Sequence, residues 1–205
     1  MLKTLIVYIH LLATCIAIGT IVLTDLRLMA KVMGYRVVIP RPERLETTLI
    51  TAALTVLYLT GALIVLLGLE ANPDYLDNEK LLAKLLLVGL LTANAVMLHK
   101  AVFPILGRSR PVSQWNSREW LTVSASVSLS NTVWLFCAFL GVARVWNNSV
   151  SMAFVLGVAA SIWLVAFLLV NAVLKLAARD APKPKPDWID SMKASLSDFS
   201  DLRPH

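Results

Sequence analysis

The chain has 205 residues, of which 58% are hydrophobic and only 16% are charged. A soluble domain is typically about half apolar and about a quarter charged, so this composition excludes an ordinary soluble enzyme and favours a membrane protein. The net charge of +6 does not indicate a nucleic-acid partner, because the basic residues cluster in links between apolar segments.

Five apolar segments are long enough to cross a bilayer, since a hydrocarbon core of about 30 Å needs roughly 20 apolar residues per helix. Together they fill residues 1–176 and leave no room for a separate soluble domain. The predicted fold class is therefore all-α, a polytopic membrane bundle of five transmembrane helices. The predicted spans are about 3–24, 48–69, 81–105, 121–143 and 151–174.

Basic residues concentrate in alternate links between these segments. The positive-inside rule places the richer set in the cytoplasm, which predicts an outer N-terminus and an inner C-terminus. The poorer side has only Lys3, Lys80, Lys84 and Arg144. The richer side has Arg27, Lys31, Arg36, Arg41 and Arg44 in the first link, Lys100, Arg108, Arg110 and Arg118 in the third, and Lys175, Arg179, Lys183, Lys185, Lys193 and Arg203 in the tail.

Residues 177–205 are predicted to form a cytoplasmic tail. Prolines alternate with lysines over residues 181–186, a pattern typical of a stiff, extended spacer. Apolar side chains at helical spacing follow, which predicts either a short amphipathic helix on the membrane surface or a frayed tail. These side chains are Trp188, Met192, Leu196 and Phe199.

The fourth apolar segment is rich in small polar residues. Such residues let helices approach closely and hydrogen-bond across the contact, so we expect this helix in the middle of the bundle. A path for a polar substrate is the alternative. The residues are Thr122, Ser124, Ser126, Ser128, Ser130, Asn131 and Thr132.

Ionisable residues within membrane spans are rare and are functional candidates by default. At 1.5 Å per residue, His10 lies roughly 10 Å and Lys84 roughly 5 Å below the predicted outer face. These two are therefore expected to share a site. His99 lies roughly 27 Å from that face, and is expected at the inner face near Asp25 and Arg27.

The depths argue against a haem held by both His10 and His99, because two axial imidazoles must lie at one level. A haem with a single histidine, or with His10 and a non-histidine ligand, stays open, as does a hydrogen-bonded histidine without cofactor. In the alternative interpretation of Lys84, its ammonium extends to the outer membrane–water interface and binds no ligand. His99 is alternatively an interfacial anchor.

The two cysteines, Cys15 and Cys137, are interpreted as small apolar fillers, because neither has the spacing of a metal or redox site.

Copper handling is a further hypothesis, although the sequence contains little of the clustered methionine, cysteine and histidine that a copper site needs. Met97 and His99 are close in sequence but point to different faces of a helix.

Several short motifs resemble, in order and spacing, the HemJ-type protoporphyrinogen oxidase family and, more loosely, the CopD-like membrane proteins. The similarity covers roughly residues 5–145. The motifs are Ile9-His10-Leu11-Leu12, Asp25-Leu26-Arg27-Leu28, Glu43-Arg44-Leu45, Thr60-Gly61 and Lys84-Leu85-Leu86-Leu87-Val88.

This resemblance implies that His10 is the axial metal ligand of a haem b and that Lys84 pairs with a propionate or with the substrate. The chain departs from the family pattern in three places. No second histidine occurs at residues 29–31, Asn131 is followed by threonine rather than glutamate, and a fifth helix with a basic tail is added. Whether the protein is an enzyme stays open.

The expected function is therefore that of a haem- or porphyrin-binding protein of the bacterial cytoplasmic (inner) membrane, with oxidoreductase activity left open. The alternatives are a non-catalytic membrane subunit or scaffold and a copper-handling protein. The expected partners are the lipid bilayer and either a second copy of the chain or other membrane-complex subunits.

Overall fold

The computed structural model describes residues 1–33, 43–108 and 110–179. All regular structure in these ranges is helical, and five helices are long and apolar enough to cross a membrane. The predicted all-α fold class is thus confirmed. The helices are α1 (Leu2–Met33), α2 (Arg44–Ala71), α3 (Glu79–Met97), a π-helical turn (Leu98–Val102), α4 (Phe103–Gly107), α5 (Ser117–Val142) and α6 (Met152–Arg179).

Two helices extend beyond their predicted ends. α1 continues to Met33 and α6 to Arg179, whereas the apolar segments end near residues 24 and 174. Helix-favouring residues such as leucine, methionine, alanine and lysine follow each apolar run, with no proline or glycine to stop it. Asp25 and Arg27 are therefore helical rather than part of a link. The predicted proline-lysine spacer and amphipathic tail lie outside the described residues.

α2 and α5 begin with the same arrangement of capping and charge. Glu43 and Asn116 are the N-cap residues, and each forms a capping box with a glutamate three residues later. These glutamates, Glu46 and Glu119, are buried. A carboxylate in the first turn also interacts favourably with the positive end of the helix dipole.

Arginines neutralise both buried glutamates. Arg27 Nη1 lies 2.6 Å from Glu46 Oε1, which ties the C-terminal half of α1 to the start of α2. Arg108 and Arg110 lie 2.8 and 2.6 Å from Glu119 Oε1, which fixes the link between α4 and α5. Because a bare charge in an apolar bundle is costly, these pairs permit the carboxylates to be buried.

The π-helical turn interrupts the continuous helix that spans Glu79–Gly107. Pro104, just after this turn, has no amide hydrogen to donate to the carbonyl four residues earlier, so the preceding turn widens. His99 lies in the widened turn, is exposed, and makes an edge contact with Phe103 at 4.9 Å between ring centroids. This position of His99 on the outside of the bundle is compatible with the alternative role of an anchor at the membrane interface.

α5 occupies the centre of the bundle, as predicted. It contacts α1, α3 and α6, and it has the largest buried share among the five spans. Ser124, Ser126 and Ser128 are almost fully buried, so the hydroxyl-rich segment does allow close helix approach. α1 packs mainly on α2, and this pair faces the group formed by α3, α5 and α6.

Reciprocal hydrogen bonds join α3 and α5 in the interior. Asn94 Nδ2 donates to the Ser126 carbonyl at 3.0 Å, and Ser126 Oγ donates to Asn94 Oδ1 at 2.6 Å. Both side chains are buried. Without water, each of these groups depends on the other helix for its partner.

We expect Ser126→Ala to destabilise the protein by about 1 kcal/mol, because Asn94 Oδ1 then loses its donor. The measurement is unfolding in mixed micelles. Ser161→Ala is the matched control, since this exposed hydroxyl bonds only within its own helix to Gly157. Equal stability of the two variants would contradict the interhelical role of the pair.

Candidate functional site

His10 packs against α2 through two neighbouring residues. Its Nδ1 lies 2.8 Å from Thr60 Oγ1. A Cβ atom on Gly61 would lie 3.6 Å from His10 Cε1, so the ring runs close along the α2 backbone at this glycine. The imidazole is half-buried and Thr60 is buried. The Thr60-Gly61 pair thus positions the ring.

The hydrogen bonds of Thr60 determine the tautomer of His10. The Thr60 hydroxyl donates its single hydrogen to the Val56 carbonyl at 2.7 Å. Its oxygen must then accept from His10, so Nδ1 carries the proton and Nε2 keeps its lone pair. Nε2 has no hydrogen-bond partner in the part of the chain that the structure describes. His10 is therefore held in the form that a metal ion binds.

Lys84 lies on α3 and extends towards α5. Its Nζ is 3.5 Å from the position that a Cβ atom on Gly141 would occupy, so the ammonium lies against the α5 helix at this glycine. The Lys84 charge acts on both the His10 imidazole and the Cys137 thiol. The Lys84 charge thus reaches the His10 imidazole without a hydrogen bond between them, which agrees with the depth argument, while a shared site and the roles of both residues stay predictions.

No acceptor satisfies the Lys84 ammonium within residues 1–33, 43–108 and 110–179: no hydrogen bond and no ion pair reaches it. Lys80, one turn earlier, differs in this respect. It is buried and donates to the Ala143 carbonyl at 2.9 Å, at the C-terminal end of α5 where a cation is favoured. Two cations therefore lie one helical turn apart, and of these two only the Lys80 ammonium has a hydrogen-bond acceptor among the described residues.

Cys137 belongs to this site, which the sequence analysis did not predict. It is 9% exposed and lies one turn before Gly141 on the face of α5 that meets Lys84. The spacing of four between Cys137 and Gly141 was the available signal. Cys15, by contrast, is exposed on the outside of α1 rather than buried. The interpretation as a buried filler is thus wrong for Cys15.

The other candidates do not form one group. Arg27 pairs with Glu46, whereas Asp25 faces a pocket beside Asn131. His99 is exposed and contacts Phe103. The structure shows no contact that joins His99 to Asp25 or Arg27, so the expected inner cluster is not assembled.

Within the described ranges, no group of three or more histidine, cysteine, aspartate or glutamate side chains is placed to hold a metal ion. A copper site built from such residues has no support there. A metal that brings its own macrocycle needs only one or two protein ligands, so this finding bears on copper and not on haem.

No protein-family model matches the chain, and no curated protein or solved structure matches it. The resemblance to HemJ-type and CopD-like proteins therefore stays a prediction carried by the motifs and by the pairing of His10 with Lys84.

We expect the His10 ring to be neutral and protonated at Nδ1 in the wild type. Thr60→Val removes an acceptor worth about 1 kcal/mol, so the ratio of the Nδ1–H to the Nε2–H tautomer should fall about fivefold. The measurement is the nitrogen-15 spectrum of protein labelled in its 3 histidines, with His10→Gln for assignment. Thr60→Ser keeps the hydroxyl and should keep the wild-type spectrum. An Nε2–H tautomer in the wild type would refute the assignment.

Proposed function

We propose that this is an integral protein of the bacterial cytoplasmic membrane that binds a haem or related porphyrin, with His10 as the axial ligand and Lys84 as the partner of a porphyrin carboxylate. The observation that supports it is the pairing of an imidazole with a free Nε2 lone pair and an unsatisfied ammonium at the junction of α1, α2, α3 and α5.

The imidazole fits the role of an axial ligand. Metal-binding histidines usually donate their other ring N–H to a fixed acceptor, which sets the tautomer and the ring orientation. Thr60 is such an acceptor for His10 Nδ1. Gly61 adds a close backbone contact on the same side, so the ring keeps one orientation.

The ammonium fits the role of a carboxylate partner. A lysine charge in the interior of a membrane bundle costs about 2.5–3.5 kcal/mol on insertion scales. A propionate beside Lys84 would offset that cost. Lys80 cannot serve equally, because its ammonium is bound to the Ala143 carbonyl.

A bound haem would supply one-electron redox chemistry. His10 would provide one axial nitrogen, and His99 is too far along α3 to provide the other, since the 15 residues from Lys84 to His99 span about 22 Å. Among the described residues, His10 would thus be the one histidine that holds the group. Such a site suits the porphyrin chemistry that the HemJ resemblance implies.

The first test is the absorption spectrum of the protein purified in mild detergent from haem-sufficient cells, oxidised and then reduced with dithionite. We expect a Soret band that shifts on reduction. A featureless visible region would reject the proposal and favour the scaffold alternative, which co-purifying subunits would then support.

Point variants test the assigned roles. His10→Ala should abolish haem retention, whereas His99→Ala should leave it intact, because only His10 lies in the site. Lys84→Met should weaken haem retention by about 70-fold if an interior ion pair worth about 2.5 kcal/mol is lost, while Lys84→Arg should retain more haem. Equal retention in His10→Ala and His99→Ala would refute the ligand assignment.

A further inference from the structure

A second polar location lies between α1 and α5, on the Asp25 side of the bundle. A pocket of about 120 Å³ is lined there by aliphatic residues of α1 together with Asp25, Asn131 and Trp134. One water molecule needs roughly 10–15 Å³ of such volume, so the pocket has room for several. Asp25 is its only ionisable lining residue.

The Asp25 carboxylate has a neutral partner and no cationic one among the described residues. The Asn131 amide interacts with it across the pocket. Arg27, two residues later on α1, is bound to Glu46 at 2.6 Å. Asp25 is half-buried, which distinguishes it from the exposed carboxylates of the link between α2 and α3.

Three helices pack against α1, and none of them presents a counter-ion to Asp25 in the described ranges. On α2 the ionisable groups at this end are Arg44, which is exposed, and Glu46, which Arg27 neutralises. α5 presents Asn131, which is neutral. α6 carries Lys175, which is exposed and forms no ion pair with Asp25.

The number of oxygen atoms decides which cation suits this pocket. Hard metal ions such as Ca²⁺ and Mg²⁺ need six or more oxygen ligands. The side chains here offer three, two from Asp25 and one from Asn131, and backbone carbonyls inside a helix are already hydrogen-bonded. Water would have to supply the other ligands, and one carboxylate offsets only half of a double positive charge. A proton needs a single oxygen.

We propose that Asp25 is a proton-exchange site: its carboxyl takes up and releases a proton through the pocket between α1 and α5. Intramembrane carboxyls of this kind serve reactions that consume or release protons within the bundle. The inference rests on the pocket and on the charges around it, and is independent of haem binding at His10.

The test uses the full-length protein in detergent and dicyclohexylcarbodiimide, an apolar reagent that reacts with protonated carboxyls. The acid oxygen bonds to the carbodiimide carbon and the acid proton moves to nitrogen. The acyl group then migrates to nitrogen, so a stable acylurea forms with no leaving group. Peptide mass mapping after labelling from about pH 5 to about pH 9 locates the adduct.

We expect an adduct at Asp25 whose yield falls about tenfold for each pH unit above the midpoint, as the protonated fraction does. Asp25→Asn should abolish it, and Asp77→Asn, which alters an exposed carboxylate, should not. Asp25→Glu should retain labelling. If Asp25→Asn does not fold, the position of the adduct in the wild-type protein, located by peptide mass mapping, tests the proposal by itself.

Two results would overturn the proposal. Absence of an Asp25 adduct across the whole pH range would mean that the carboxylate stays charged and does not exchange a proton. Protection of Asp25 when sodium chloride replaces choline chloride at equal ionic strength would mean that a metal cation occupies the pocket.

Discussion

The cost of burying charge among apolar helices governs this structure more than any single contact. Six charged side chains are buried or half-buried in the described residues, and four of them are satisfied within the fold. Arginines pair with the two glutamates, and Lys80 donates a hydrogen bond to the Ala143 carbonyl at the C-terminal end of α5. Each of these pairs also joins two different segments of the chain. The buried charges therefore help to fix which helix ends lie next to each other. The six are Asp25, Glu46, Lys80, Lys84, Arg110 and Glu119.

The two remaining groups, Lys84 and Asp25, lie where the α1–α2 pair meets the rest of the bundle. Packing within that pair and between α5 and its neighbours α3 and α6 is more extensive than packing between α1 and α5. A loosely packed boundary has space for ligands or water, whereas a well-packed helix contact does not. The coincidence of uncompensated charge and open packing is therefore the physical reason to look for function along this boundary.

Much of this arrangement follows from the sequence, because an apolar segment and a helical rise of 1.5 Å per residue fix the depth of every side chain. That rule placed His10 and Lys84 at one level, and in the structure the Lys84 charge reaches the His10 imidazole. The rule says nothing about which helices are neighbours or how each is rotated. Thr60 as the His10 acceptor depends on those two quantities and so could not be predicted, whereas Cys137 beside Lys84 had one signal in the sequence, its spacing of four from Gly141.

Distance along the helix axis explains why the two sites stay separate although α1 carries both His10 and Asp25. Fifteen residues divide them, about 22 Å along the axis. Ala13 and Ala17 between them are buried, and small side chains there let α1 approach its neighbours closely. This buried contact in the middle separates His10 from the pocket at Asp25, so the ligand proposed at His10 and the proton proposed at Asp25 would act on one helix without sharing that pocket. Both sites also include residues of α5, Asn131 at the pocket and Cys137 near Lys84, so α1 and α5 are the two helices through which they could be coupled.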